Sequence, residues 1–69
     1  MEHRVRFIKD DLEFLSVPVD DEIDNISDYI SEAIINGHVF DMEVNDGDRV
    51  VLTPEMIAGG CFVIEKVEE

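Results

Sequence analysis

Between Asp10 and Asp48 this chain carries thirteen acidic residues and not one lysine or arginine. They are Asp10, Asp11, Glu13, Asp20, Asp21, Glu22, Asp24, Asp28, Glu32, Asp41, Glu43, Asp46 and Asp48. The rest of the chain holds five acids (Glu2, Glu55, Glu65, Glu68, Glu69) and all five bases (Arg4, Arg6, Lys9, Arg49, Lys66), which cancel. The whole net charge of −13 therefore sits in the central block. Repulsion among unopposed carboxylates works against a compact state, so a fold that tolerates it either needs the charge for solubility or uses it on a positively charged partner.

With 69 residues the chain forms one domain, residues 1–69. A chain this short buries about 60% of its unfolded surface, so its core is small. A hydrophobic content of 45% still argues against disorder. The apolar set is rich in Ile and Val with four phenylalanines, Phe7, Phe14, Phe40 and Phe62, a composition suited to sheet packing. The single cysteine, Cys61, allows no internal disulfide and fits a reducing cytoplasm. There is no leader pattern and no apolar run long enough to cross a membrane. The charge disfavours direct contact with nucleic acid phosphates or anionic lipid, and favours a basic protein surface.

Alternation of Val5 and Phe7 with Arg4 and Arg6 predicts a strand over His3–Ile8. Lys9-Asp10-Asp11 reads as a hairpin turn, and Leu12–Val19 as a second strand. Its alternation is imperfect, with Leu12 and Phe14 on one face and Leu15, Val17 and Val19 on the other. A bulge near Phe14-Leu15, or burial on both faces, accounts for that. Pro18 places the end of this strand at an edge or a terminus. Asp20–Asn36 is the one clear helix: Ile23, Ile26, Ile30, Ala33 and Ile34 form an apolar stripe. Asp20 or Asp21 supplies the N-cap and Asn36-Gly37 the stop. His38–Val44 and Arg49–Thr53 read as strands joined by a turn at Asn45-Asp46-Gly47-Asp48. Thr53 caps a single helical turn that begins with Pro54, Gly59-Gly60 breaks it, and Cys61–Val67 is the last strand. The order β-β-α-β-β-β predicts an α+β fold, an antiparallel sheet of about five strands with one amphipathic helix on one face.

On a helical wheel Asp21, Asp24, Asp28 and Glu32 fall opposite the isoleucine stripe, as a row of carboxylates spanning roughly 16 Å. Like charges four residues apart destabilise a helix by a few tenths of a kcal/mol per pair, and lysine at Asn25, Asp28 or Glu32 is the cheaper choice for a merely soluble helix. The segregation is thus the argument for selection on charge. Arginine and lysine side chains built to meet phosphates also meet carboxylates.

Chemistry is weakly signalled. Counted from Asp41 as a calcium loop, the sixth position is Asp46 and the twelfth Leu52, where the EF-hand pattern needs Gly and Glu. His3, His38 and Cys61 show no paired ligand spacing, so no metal is expected. His38 reads as a core or strand-end histidine and Cys61 as a small buried hydrophobe. Ser16, Ser27 and Ser31 lie in no nucleophile elbow, and Gly59-Gly60 alone is no phosphate loop. No catalytic residue and no cofactor is assigned, and the chain reads as not an enzyme. Arg4 and Arg6 are expected to pair with acids on a neighbouring strand.

In size, charge and α+β order, over about residues 10–48, the chain resembles the small acidic DNA-mimic inhibitors carried by phages and mobile elements. That class includes anti-restriction proteins, anti-CRISPR proteins and uracil-DNA glycosylase inhibitors. The resemblance implies a partner with a basic nucleic-acid groove, such as a nuclease. Asp21, Asp24, Asp28 and Glu32 are then the main contacts, and Asp10, Asp11, Glu13, Asp41, Glu43, Asp46 and Asp48 extend the patch where the fold brings them near. Two other readings stay open. One is a structural or assembly module, homodimeric through the Cys61–Val67 strand or the exposed Ile35, whose acidity only solubilises. The other is an antitoxin-like partner that neutralises a basic toxin. A strand-paired dimer persists in high salt, where a charge-driven complex dissolves. In every reading the acids repel one another, so the urea midpoint is expected to rise from low to moderate salt, and in mild acid. A midpoint that salt leaves unchanged means that the acids are not crowded in the fold.

Overall fold

His3, Val5 and Phe7 are buried while Arg4 and Arg6 between them are half-exposed, and this alternation builds the central strand. The computed structural model describes residues 1–45 and 47–68. Its elements run β1 (Glu2–Lys9), β2 (Leu12–Leu15), β3 (Val19–Asp20), α1 (Ile23–Asn36), β4 (Phe40–Val44), β5 (Asp48–Leu52), α2 (Pro54–Ala58) and β6 (Cys61–Lys66). The fold is α+β with antiparallel strands and one main helix. The strands divide between two sheets. In the first, β1 pairs with β2 and β3 along one edge and with β6 along the other; the second is the β4–β5 hairpin.

The single strand expected over Leu12–Val19 is two strands separated by a bulge. Leu15 lies opposite Arg6 and Val19 opposite His3, so Ser16, Val17 and Pro18 face only Arg4 and Val5. The extra residue sits after Leu15 rather than at Phe14-Leu15. It also changes the face assignment: Leu15 shares the outer face with Arg6, whereas Val19 pairs with His3 on the inner side. Ser16 keeps the ladder satisfied across the gap. Its N–H donates to the Val5 carbonyl at 2.9 Å, its Oγ accepts the Val5 N–H at 2.8 Å, and its hydroxyl donates to the Val17 carbonyl. Freed from β1, the Val17 N–H donates to the Glu43 carbonyl at 2.9 Å and ties the first sheet to β4. Pro18 has no N–H to lose at this point.

Helix α1 starts at Ile23, three residues later than expected, with Glu22 as N-cap and no side-chain cap bond. Asp20 pairs with Glu2 in β3 instead, and the Asp21 N–H bonds the Val19 carbonyl, which holds both residues outside the helix. The end is as expected: Gly37 adopts φ 66°, and the N–H groups of Gly37 and His38 bond the carbonyls of Ile34 and Ala33 in a Schellman arrangement. His38 is therefore an exposed residue of the connection, not the head of a strand. Of the apolar stripe, Ile26, Ile30 and Ala33 are buried, while Ile23 and Ile34 stay about half exposed. The narrow sheet covers only the centre of the stripe.

The core unites both sheets and both helices: Val5 and Phe7 of β1, Ile26, Ile30 and Ala33 of α1, Phe40 and Met42 of β4, Leu52 of β5 and Ile57 of α2. Three ring contacts run through it. Phe7 meets Phe62 at 5.0 Å between centroids, Phe62 meets Phe40 edge-on at 5.2 Å, and Phe40 meets Tyr29 at 5.5 Å. Thr53 caps α2 by accepting the Met56 N–H, as expected. Gly60 lets β6 begin against the core, since a Cβ there would overlap the Phe7 ring and stand 2.9 Å from the Ile8 carbonyl oxygen. Cys61 is exposed rather than buried, because it pairs with Ile8 on the outer face while Phe62 turns inward opposite Phe7.

Ser16 is buried and serves as a surrogate main-chain acceptor. Ser16→Ala leaves the Val5 N–H without a partner and is expected to lower stability by about 1–3 kcal/mol. Urea unfolding checks this: a lower midpoint with an unchanged slope is expected, and an unchanged midpoint shows that the bulge does not depend on the hydroxyl.

Candidate protein-binding surface

The α1 stripe is exposed as the wheel requires. Asp24, Asp28 and Glu32 follow at four-residue spacing over roughly 12 Å, all open to solvent. Ile35 lies among them and is 80% exposed. Nothing basic occupies the last helical turn, so the negative end of the helix dipole goes unopposed there.

Asp21 precedes the helix but is fixed to it. Its Oδ1 accepts from the Asn25 side-chain amide at 2.9 Å and from the Glu22 N–H at 2.8 Å. These bonds hold its carboxyl below the ordinary aspartate range, the Asn25 bond contributing most. Its carbonyl accepts a hydrogen bond from His3 Nδ1 at 2.9 Å, which fixes the ring proton on Nδ1. His3, read from sequence only as an isolated ligand, thus anchors the helix start to β1. Its place in the His3/Val5/Phe7 alternation was the signal that it turns inward.

Asp21, Asp41 and Glu43 come together around a groove of about 390 Å3. One wall is the bulged segment Ser16–Val19, the second is Asn25, Ile26 and Tyr29 of α1, and the third is β4 from Phe40 to Glu43. At 100° per residue, Asn25 and Tyr29 stand between this groove and the acid stripe, so stripe and groove adjoin. Arg49 reaches in from β5, and its Nη1 donates to Asp41 Oδ2 at 2.9 Å. Tyr29 carried no signal of its own in the sequence.

The other expected contacts lie elsewhere. Asp10 and Asp11 form the β1–β2 turn, some six extended residues, or roughly 20 Å, from the His3 end of the sheet. Glu13 is taken by Arg6, which also binds Glu65 through Nε at 2.8 Å and Nη2 at 3.2 Å. The Glu65 bond raises the Arg6 pKa and holds the Glu65 carboxyl below the ordinary range. The expected pairing of β1 arginine with neighbouring-strand acids is thus met at Arg6. Asp48 begins β5, opposite Val44, and Asp46 lies outside the described residues. Of the twelve acids of the block that the structure describes, only Glu13, Asp20 and Asp41 meet a cation, Asp20 through the Met1 amino group. Among the described residues no group of three His, Cys, Asp or Glu side chains is placed to hold a metal ion, and no helix is long and apolar enough to cross a membrane.

No family model, curated protein or solved structure matches this chain. The Asp21 anchor offers a local check on the geometry. A depressed carboxylate pKa contributes stability that is complete above the unfolded value, about 3.9, and is lost as pH falls through the folded one. Asn25→Ala removes the larger cause, so the Asp21 titration midpoint, followed by carboxyl-carbon NMR, is expected to move up. An unmoved midpoint means that the Asn25 bond does not form in solution.

Proposed function

We propose that this chain is a non-catalytic inhibitor or regulator that presents a DNA-mimicking acidic surface to a basic nucleic-acid-binding protein. The observation that carries this reading is the outer face of α1. Asp24, Asp28 and Glu32 are exposed there, and no lysine, arginine or amino group pairs with them among the described residues. Asp21, Asp41 and Glu43 extend the same sign of charge around the adjoining groove. Arg4 and Arg6 alternate with the buried residues of β1 and so lie on the sheet face turned away from α1. A partner that approaches the helix meets carboxylates without neutralising cations, which favours fast, salt-sensitive association with a phosphate-binding surface. Asp10 and Asp11, at the β1–β2 turn, and Glu13, paired with Arg6, are not part of the proposed contact, and Asp48 is not among the groove's lining residues.

The test is capture from lysate on the immobilised chain with elution by a salt gradient, followed by affinity measurement on the protein released. Asp24→Asn, Asp28→Asn and Glu32→Gln combined are expected to weaken binding by roughly three- to 150-fold, at about 0.2–1 kcal/mol for each exposed pair. The urea midpoint should hold or rise, because helix repulsions of a few tenths of a kcal/mol are relieved. Full binding by the triple variant removes this face from the function.

A further inference from the structure

The groove beside α1 combines two features, of which the acid stripe has only one. Its lining is largely aliphatic and aromatic, from Val17, Ile26, Tyr29, Phe40 and Met42, and it also includes Asp21, Asp41 and Glu43, of which Asp41 meets Arg49 through its carboxylate. Tyr29 lines it and is 56% exposed. A purely apolar side chain would take water from these carboxylates without replacing it. A bare metal or ammonium ion would leave the apolar walls unused. A long aliphatic stem that ends in a cation satisfies both.

The chain itself shows which cation the geometry accepts. Arg49, which directly follows the acid block, lines the groove, donates to Asp41 and stands directly opposite Glu43 in the β4–β5 register. Its side chain is 57% exposed, so the pair is a surface pair that another guanidinium can exchange with at little cost. A guanidinium also stacks on an aromatic face and pairs with carboxylates through a planar fork, which an ammonium does not.

We propose that this groove receives an arginine side chain of the basic partner, which displaces Arg49 from Asp41. The stem lies along Val17 and Tyr29, and the guanidinium meets the Asp41 carboxylate with Asp21 and Glu43 at the groove rim. This assignment rests on the reading of the chain as a binder of a basic protein, and it names the group that the surface takes first.

The test needs no partner protein. The full chain is titrated by amide NMR with acetyl-Gly-Arg-Gly-amide, and in parallel with the lysine and norleucine peptides at one ionic strength. Saturable shifts centred on Asn25, Tyr29 and Met42 are expected with the arginine peptide, weaker ones with lysine and none with norleucine. Asp41→Asn should weaken arginine binding about two- to fivefold, and Arg49→Gln, which vacates Asp41, should strengthen it by a similar factor. Glu55→Gln removes an equal charge on α2 and should leave the affinity unchanged. Equal response to arginine and lysine, shifts spread over the outer face of α1 without the groove, or indifference to Arg49→Gln overturns the assignment. Groove saturation alongside a fully binding α1 triple variant retains the groove and overturns the helix-face reading. A silent groove alongside a non-binding triple variant does the reverse.

Discussion

The bulge at Ser16–Pro18 is the constraint on which the candidate surface depends. One extra residue against β1 turns the Val17 N–H away from its own sheet and toward the Glu43 carbonyl, so that, among the described residues, one backbone bond joins the two sheets. The same shift brings Val19 to His3 and Asp20 to Glu2, which delivers the chain to the start of α1 with Asp21 held by the His3 ring. One wall of the groove is the bulged segment itself. The buried Ser16 hydroxyl makes this tolerable, by supplying an acceptor where the main chain has moved off.

Charge and core are arranged so that neither compromises the other. The ring contacts Phe7–Phe62, Phe62–Phe40 and Phe40–Tyr29 cross from the central sheet through β4 to the helix, and they carry the apolar packing of a domain with few residues to spare. The carboxylates of the central block stay at the periphery, where water solvates them and their mutual repulsion is screened. Arg6 is absorbed between Glu13 and Glu65 on the outer sheet face, and the Lys9 ammonium donates to the Glu55 carbonyl of α2. The basic residues therefore staple the sheet and leave the helix face unneutralised.

Much of the fold was legible because it rests on local rules. The α1 stripe, the Gly37 stop, the Thr53 cap, the two hairpins and the β1 alternation each follow from a few neighbouring residues. What escaped depended on distant partners. Cys61 looked like a core residue by type, but its pairing with Ile8 sends it outward. His38 continued an alternating pattern, yet its N–H is consumed in closing the helix. Ile34 belonged to the stripe, but the sheet is too narrow to cover it. Asp20 looked like a helix cap, and its pairing with Glu2 made it a strand residue.

The sequence by itself determined the sign of the surface, the segregation of acids from bases, and the face of α1 on which Asp24, Asp28 and Glu32 stand, because charge is a property of residue type and the 3.6-residue period is local. Only the tertiary structure decided which of the remaining acids join them. Asp21 and the pair Asp41 and Glu43 are some twenty residues apart in the chain and share one groove, whereas Asp10 and Asp11, nearer to Asp21 in sequence, lie at the far end of β1. The reason is register. A one-residue slip at the bulge sets which N–H faces which carbonyl across two sheets, and no local pattern in the chain records that choice.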